Sequence, residues 1–173
     1  MIYLLLLALP HLIWQTDKTK DLSPRALETR QTWIDLNPGY RYSLYDDADI
    51  ETYIQQKWPP EYLAFFHALP LGVMKADLWR YLVLTTEGGI YSDIDSVCLI
   101  PIRDWQVRDR PHVLLIDTDS DTGQFCQWTF AATPHHPALE FLCNYALKRW
   151  QKRGITHCAD GSIDVLGATG PTL

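Results

Sequence analysis

The chain has 173 residues, 47% of them hydrophobic, enough to bury the core of one α/β domain, and no composition shift, repeat or low-complexity run marks a second. A formal net charge of −6 and a pI near 5.4 argue against a nucleic-acid partner, which usually requires a basic face. Cys98, Cys126, Cys143 and Cys158 show neither Cys-x-x-Cys spacing nor a zinc-like pairing with histidine, which leaves lumenal disulfides and buried free thiols both open.

In chain order, Met1 to Leu9 is apolar, lacks a basic leading segment and is shorter than the ~20 residues that span a bilayer. Residues 1–8 read either as the shortened core of a signal or anchor, or as the lead-in to a buried strand. Ser23-Pro24 predicts an N-cap followed by proline at N1, opening a helix to about Leu36 that Asn37-Pro-Gly39 closes. Tyr40 to Tyr45 alternates as a strand does. Asp46-Asp47 then caps a helix to about Lys57. Pro59-Pro60 and Pro70 bracket a short helix. Later, Val113–Ile116 and Phe125–Ala132 read as buried strands, and Pro137 to Lys152 as an amphipathic helix carrying Leu139, Leu142, Ala146 and Trp150 on one stripe. Strands alternating with helices predict an α/β fold with a mainly parallel sheet and ligands at the carboxyl ends of its strands.

The segment from Lys75 to Asp95 carries the chemistry. Residues 73–84 predict a helix that is apolar nearly all round, interrupted by Asp77 and Arg80. At i and i+3 these two share one helix face. Gly88-Gly89 ends the helix, because glycine accepts the left-handed backbone that stops a helical ladder. A strand through Ile90-Tyr91-Ser92-Asp93-Ile94-Asp95 would set Asp93 and Asp95 on one face, roughly 6.6–6.8 Å apart. Two carboxylates so placed repel each other and are costly to desolvate unless a cation joins them. Mg²⁺ or Mn²⁺ suits such a pair, taking its other ligands from water and substrate phosphates. The bland alternative is a solvated acidic turn beside an ordinary ion pair. Both pairs, joined by Gly-Gly, favour a metal-diphosphate site.

These blocks resemble the sugar-binding-motif glycosyltransferases of family 32, in which Asp-x-Asp follows Ala-Asp-x-x-Arg-Tyr and Gly-Gly-Ile-Tyr. Leu9 to Thr16, Trp33 to Tyr42 with Asp46-Asp47, Pro101 to Trp105 and Thr169-Gly-Pro171 fit as well, so the resemblance covers residues 9–173. Within the family, Met74 to Tyr81, Tyr91 to Ser96 and Val165 to Pro171 look most like the fungal initiating α-1,6-mannosyltransferases of N-glycan outer chains.

The resemblance implies a GT-A type nucleotide-diphospho-sugar fold over residues 9–173, with relatives continuing beyond Leu173. It places the first strand around His11 to Gln15. It implies a retaining transferase that moves a hexose, foremost mannose from GDP-mannose, to a glycan in the Golgi or another secretory-pathway lumen, with an N-terminal membrane anchor as an option. A divalent cation, Mn²⁺ ahead of Mg²⁺, would sit on Asp95 and Asp93. Arg80 would donate its fork to phosphate or sugar oxygens, Asp77 would accept donor hydroxyls, Trp14 would stack on the base unless it is a core residue, and Tyr91 would pack behind the site. No protein base is required for retention, because the departing phosphate can take the proton.

Other readings stay in view: a lipid acceptor such as an inositol-containing sphingolipid, a sugar-nucleotide-binding remnant without turnover, and an aspartyl phosphatase using Asp93 and Asp95 as its Asp-x-Asp. Asp117 to Gly123 imitates a calcium loop, but its glycine is one position late and Trp128 stands where glutamate belongs. Adjacent His135-His136 cannot easily converge on one ion. Gln127 replaces an asparagine common in relatives.

Overall fold

A computed structural model describes residues 9–105, 113–118, 123 and 125–170. Their elements run β1 (Leu12–Thr16), α1 (Pro24–Leu36), β2 (Arg41–Tyr45), α2 (Asp47–Lys57), α3 (Pro60–Ala68), α4 (Gly72–Thr86), β3 (Gly89–Ser92), a 3-10 turn (Ile102–Asp104), β4 (Leu114–Thr118), β5 (Phe125–Ala132), α5 (Pro137–Arg153) and α6 (Val165–Ala168). The start and stop signals act as read. The Ser23 side chain accepts the Ala26 N–H ahead of Pro24, and Asp46 and Asp49 form a reciprocal capping box on α2. The His136 ring nitrogen caps α5, so the adjacent histidines build a turn.

The five strands form one sheet in the order β2-β1-β3-β5-β4. β1 pairs in parallel with β2 and β3, while β5 pairs antiparallel with β3 and β4. The sheet is therefore mixed, but β5 alone is reversed and the other strands share one direction. The expected mainly parallel arrangement holds with that exception, which arises because β4 and β5 are consecutive and pair directly.

Side chains alternate across the sheet with the strand period of two. Ile13, Ile90 and Ala131 face a small cluster built on Trp33 of α1, with Cys98 and Ile102. Trp14, Tyr91, Phe130 and Ala132 face the larger core built by α2 to α5, where Trp79, Leu82 and Leu84 are fully enclosed. Burial of each large apolar side chain contributes ~1.5–3 kcal/mol, so α4, buried nearly all round as its composition predicts, is the hub of the fold. Cys98 and Cys143 are buried free thiols.

The turn from α4 to β3 is tight. Gly88 and Gly89 both take positive φ, and a Cβ on Gly89 would stand 2.6 Å from the Leu12 carbonyl oxygen. Only glycine passes here without displacing β1. The indole N–H of Trp14 donates to the Gly88 carbonyl at 2.8 Å, locking the first strand to the end of this helix.

Candidate active site

At the carboxyl ends of β1 and β3 a cavity of about 310 Å³ opens to solvent. Arg80, Tyr91, Asp93 and Asp95 line it together with Thr16, Lys18, Asp47 and Val73. The helix, the double glycine and the acidic motif thus converge on one space.

The motif reaches that space by a different route from the one read in the sequence. β3 ends at Ser92, and its ladder with β1 ends at Tyr91. The Asp93 N–H donates to the Trp128 carbonyl at 2.7 Å, and the Ser96 N–H then donates to the Asp93 carbonyl at 3.0 Å. Asp93 and Asp95 therefore sit at the start and middle of a turn, and the strand-face spacing does not apply. The ladder with β1 is already lost beyond Tyr91 and the bond from Asp93 is the last to β5 that the chain makes here, so the strand bends into the turn.

Side chains from elsewhere hold the bend. Gln15, wholly buried, donates to the Asp93 carbonyl at 3.0 Å while its own oxygen accepts from Tyr42 at 2.7 Å. From α1, Thr29 donates to the Ile94 carbonyl at 2.6 Å and the Trp33 indole to the Ser96 carbonyl at 2.7 Å. Sequence reasoning missed Gln15, Thr29 and Trp33. The available signal was a glutamine on an otherwise apolar strand and a threonine on the buried stripe of α1.

Arg80 is only 4% exposed and is committed within the protein. Its Nη2 reaches Asp93 Oδ1 at 3.0 Å and Asp77 Oδ1 at 3.2 Å, Nη1 donates to the Gln127 carbonyl at 2.8 Å, and the guanidinium lies 4.8 Å above the Tyr91 ring. Burial opposes its charge, but Tyr91, Asp93 and Asp77 more than offset this and hold its pKa above the ordinary value. The fork expected to face phosphate is thus turned largely on protein carboxylates, though Arg80 still walls the cavity.

Asp77 is 4% exposed and does not border the cavity. Its second oxygen accepts from the Thr169 hydroxyl at 2.9 Å. Asp77, expected to meet donor hydroxyls, thus lies behind Arg80 and braces it, away from the cavity lining. Burial raises its pKa, while Arg80 and the Thr169 hydrogen bond pull the other way. Trp14 follows the core reading of the two open for it. At 3% exposure, with its N–H spent on Gly88, it is a core residue and offers no face to a base.

Tyr91 packs behind the site as expected and donates its hydroxyl to Asp93 Oδ1 at 2.7 Å. Complete burial pushes its pKa well up, so the phenol stays a donor. Asp93 is raised chiefly by burial and secondarily by Asp95, against Arg80 and Tyr91. Both donors reach Oδ1, which leaves Oδ2 for a cation. Asp95 is exposed. Among the described residues no group of three or more histidine, cysteine, aspartate or glutamate side chains could hold a metal. Two carboxylates opening into one cavity fit a Mg²⁺- or Mn²⁺-like ion whose other ligands come from water and phosphate. Of the neighbouring acids, Asp46 is a cap, as expected, whereas Asp47 borders the cavity and pairs with Lys75 at 3.0 Å. Pro171 of the Thr-Gly-Pro block and most of the loop that imitates a calcium site lie outside the described residues.

A central sheet flanked by helices, with an acidic turn at the carboxyl edge, defines a nucleotide-diphospho-sugar-transferase-like fold. Accordingly, the PaToxG glycosyltransferase structure superposes with a TM-score of 0.73 at 20% identity, over 95% of this chain and 66% of that one. Residues 23–111 match the family model described as a glycosyltransferase sugar-binding region containing a DXD motif, and the chain belongs to that family. An initiation-specific alpha-1,6-mannosyltransferase of Candida albicans is 33% identical over 95% of this chain and 51% of its own length. Inositol phosphoceramide mannosyltransferase 2 of Schizosaccharomyces pombe is 31% identical over 94% of this chain and 44% of its own. The chain thus spans about half the length of these curated relatives. Family membership sets aside the phosphatase reading.

Proposed function

We propose that this chain forms the donor-binding domain of a metal-dependent, retaining mannosyltransferase that uses GDP-mannose and extends a glycan in the secretory-pathway lumen. The observation that carries the reading is the single cavity shared by Arg80, Asp93 and Asp95 at the carboxyl edge of the sheet. The mannosyltransferase names of its relatives support the sugar.

Asp95 and Asp93 would hold a divalent ion, which would neutralise the charge left on the departing diphosphate. The chain's own contribution is to aim and fix that pair. Arg80 and Tyr91 hold one oxygen of Asp93, and Gln15 holds its carbonyl. Lys18 lines the same cavity and adds positive charge for a phosphate. Tyr91 does not serve as a base, because burial keeps its phenol protonated. The proton of the acceptor hydroxyl passes to the leaving phosphate, consistent with retention. One relative's name specifies an inositol phosphoceramide acceptor and the other's only an initiating alpha-1,6 linkage; the glycan reading follows the resemblance to the initiating enzymes, and that relative is the more similar. Among the described residues no helix is long and apolar enough to cross a membrane.

The test is thermal unfolding with Mn²⁺ and GDP-mannose. At about a hundredfold excess over Kd, binding contributes about 2.7 kcal/mol, a rise of roughly 5–10 °C for a domain of this size. Asp95→Ala should remove the shift. An equal shift in that variant sinks the metal assignment, and binding without transfer to either acceptor class identifies a remnant.

A further inference from the structure

Five side chains beneath the site close a ring of polar contacts. Arg80 Nη1 donates to the Gln127 carbonyl at 2.8 Å, and the Gln127 amide donates to the Tyr81 hydroxyl. Tyr81 donates to the Thr169 carbonyl at 3.2 Å, the Thr169 hydroxyl donates to Asp77 Oδ2 at 2.9 Å, and Asp77 Oδ1 returns to Arg80 Nη2 at 3.2 Å. Thr169 is 1% exposed and arrives from the far end of the chain, held on the last turn of α6 by its own N–H to the Val165 carbonyl at 3.1 Å. The Asp164 side chain caps that turn through the Gly167 N–H at 2.8 Å.

We propose that Thr169 is a positioning residue for the transfer reaction: by occupying the outer oxygen of Asp77 it makes Asp77 hold Arg80 through one oxygen only, which leaves Nη2 shared with Asp93. The alternative geometry explains why this matters. An arginine and a carboxylate prefer a two-pronged contact. Without the threonine hydroxyl, Asp77 Oδ2 is a buried acceptor lacking its donor, and the nearest replacement is the guanidinium itself. The guanidinium then turns toward Asp77, and Asp93 loses one of the two donors that fix its Oδ1. Thr169 touches neither cavity nor substrate. It acts through Asp77 and Arg80.

The kinetic part rests on the transferase reading; the spectroscopic part does not. Nitrogen-15 spectra of the arginine side chains, with the Arg80 signals assigned by their loss in Arg80→Lys, should give two resolved Nη resonances in the wild type, because rotation of the fork is blocked. Thr169→Val, which keeps the shape and removes the hydroxyl, should merge or shift them, and Thr169→Ser should restore them. In donor turnover with Mn²⁺ and GDP-mannose, Thr169→Val should lower kcat about 10- to 100-fold, with KM changed less than about threefold, and Thr169→Ser should recover most of the loss. Tyr81→Phe, which deletes the donor to the Thr169 carbonyl, provides a second variant should the valine protein fail to fold; it should loosen the same resonances. Wild-type Nη resonances in both variants, or a loss the serine variant does not rescue, would overturn the proposal. Resonances that merge or shift in the variants, beside a wild type that transfers nothing, would instead remove the transferase reading and leave the hold of Thr169 on Arg80 standing.

Discussion

The floor and the rim of the cavity are built on opposite principles. On the floor, Arg80 and Asp77 are each 4% exposed, every carboxylate oxygen of Asp77 has a donor, and the Tyr91 phenol completes the set on Asp93. At the rim, Asp95 is exposed, and Lys75 and Asp47 pair with 25% and 37% of their side chains in water. A floor whose carboxylates already have their donors within the protein needs no ligand to hold them in place. A rim left to solvent is free to take its geometry from whatever binds there.

The contrast is broken most severely by Arg80→Met, which strands Asp77 and Asp93 without their shared counter-charge; removing one partner of such a buried pair costs about 3–5 kcal/mol. Urea unfolding measures this, and a loss under about 1 kcal/mol would mean that the floor does not depend on Arg80. A smaller effect is expected in the pH dependence. Asp77 has a pKa raised by burial, so the folded state binds its proton more tightly than the unfolded chain. Its contribution to stability is fully present below the ordinary value of 3.8 and fades as pH rises through the raised one. Asp77→Asn should flatten that decline by at most about 1.4 kcal/mol per pH unit; an unchanged slope from pH 4 upward would show that Asp77 does not titrate in this way. The smallest effect belongs to the rim. Lys75→Ala removes a part-exposed pair and should change stability by less than about 1 kcal/mol, and a loss matching that of Arg80→Met would erase the distinction between rim and floor.

Much of the fold was legible because its signals are local. Ser23-Pro24, Asp46 and the double glycine mark helix boundaries by backbone chemistry that distant residues do not alter. The convergence of Arg80 and Asp93 was legible because the helix, turn and strand between them form one short unit. Two kinds of fact were not. The end of β3 depends on which strands flank it, and the neighbour that matters, β5, lies more than thirty positions away along the chain. The fate of Asp77 depends on Thr169, which no spacing rule connects to it. Trp14 was undecided for the same reason: a tryptophan near the end of a strand reads equally as a stacking platform or a core residue until the Gly88 carbonyl is seen to accept its N–H.

The clamp from α1 has an evolutionary corollary. Thr29 and Trp33 grip the acidic turn only through its backbone carbonyls, so they fix its path while remaining indifferent to which side chains it displays. A scaffold of that kind keeps the path of the loop independent of its side chains, so an exchange on the turn need not renegotiate the backbone that carries it.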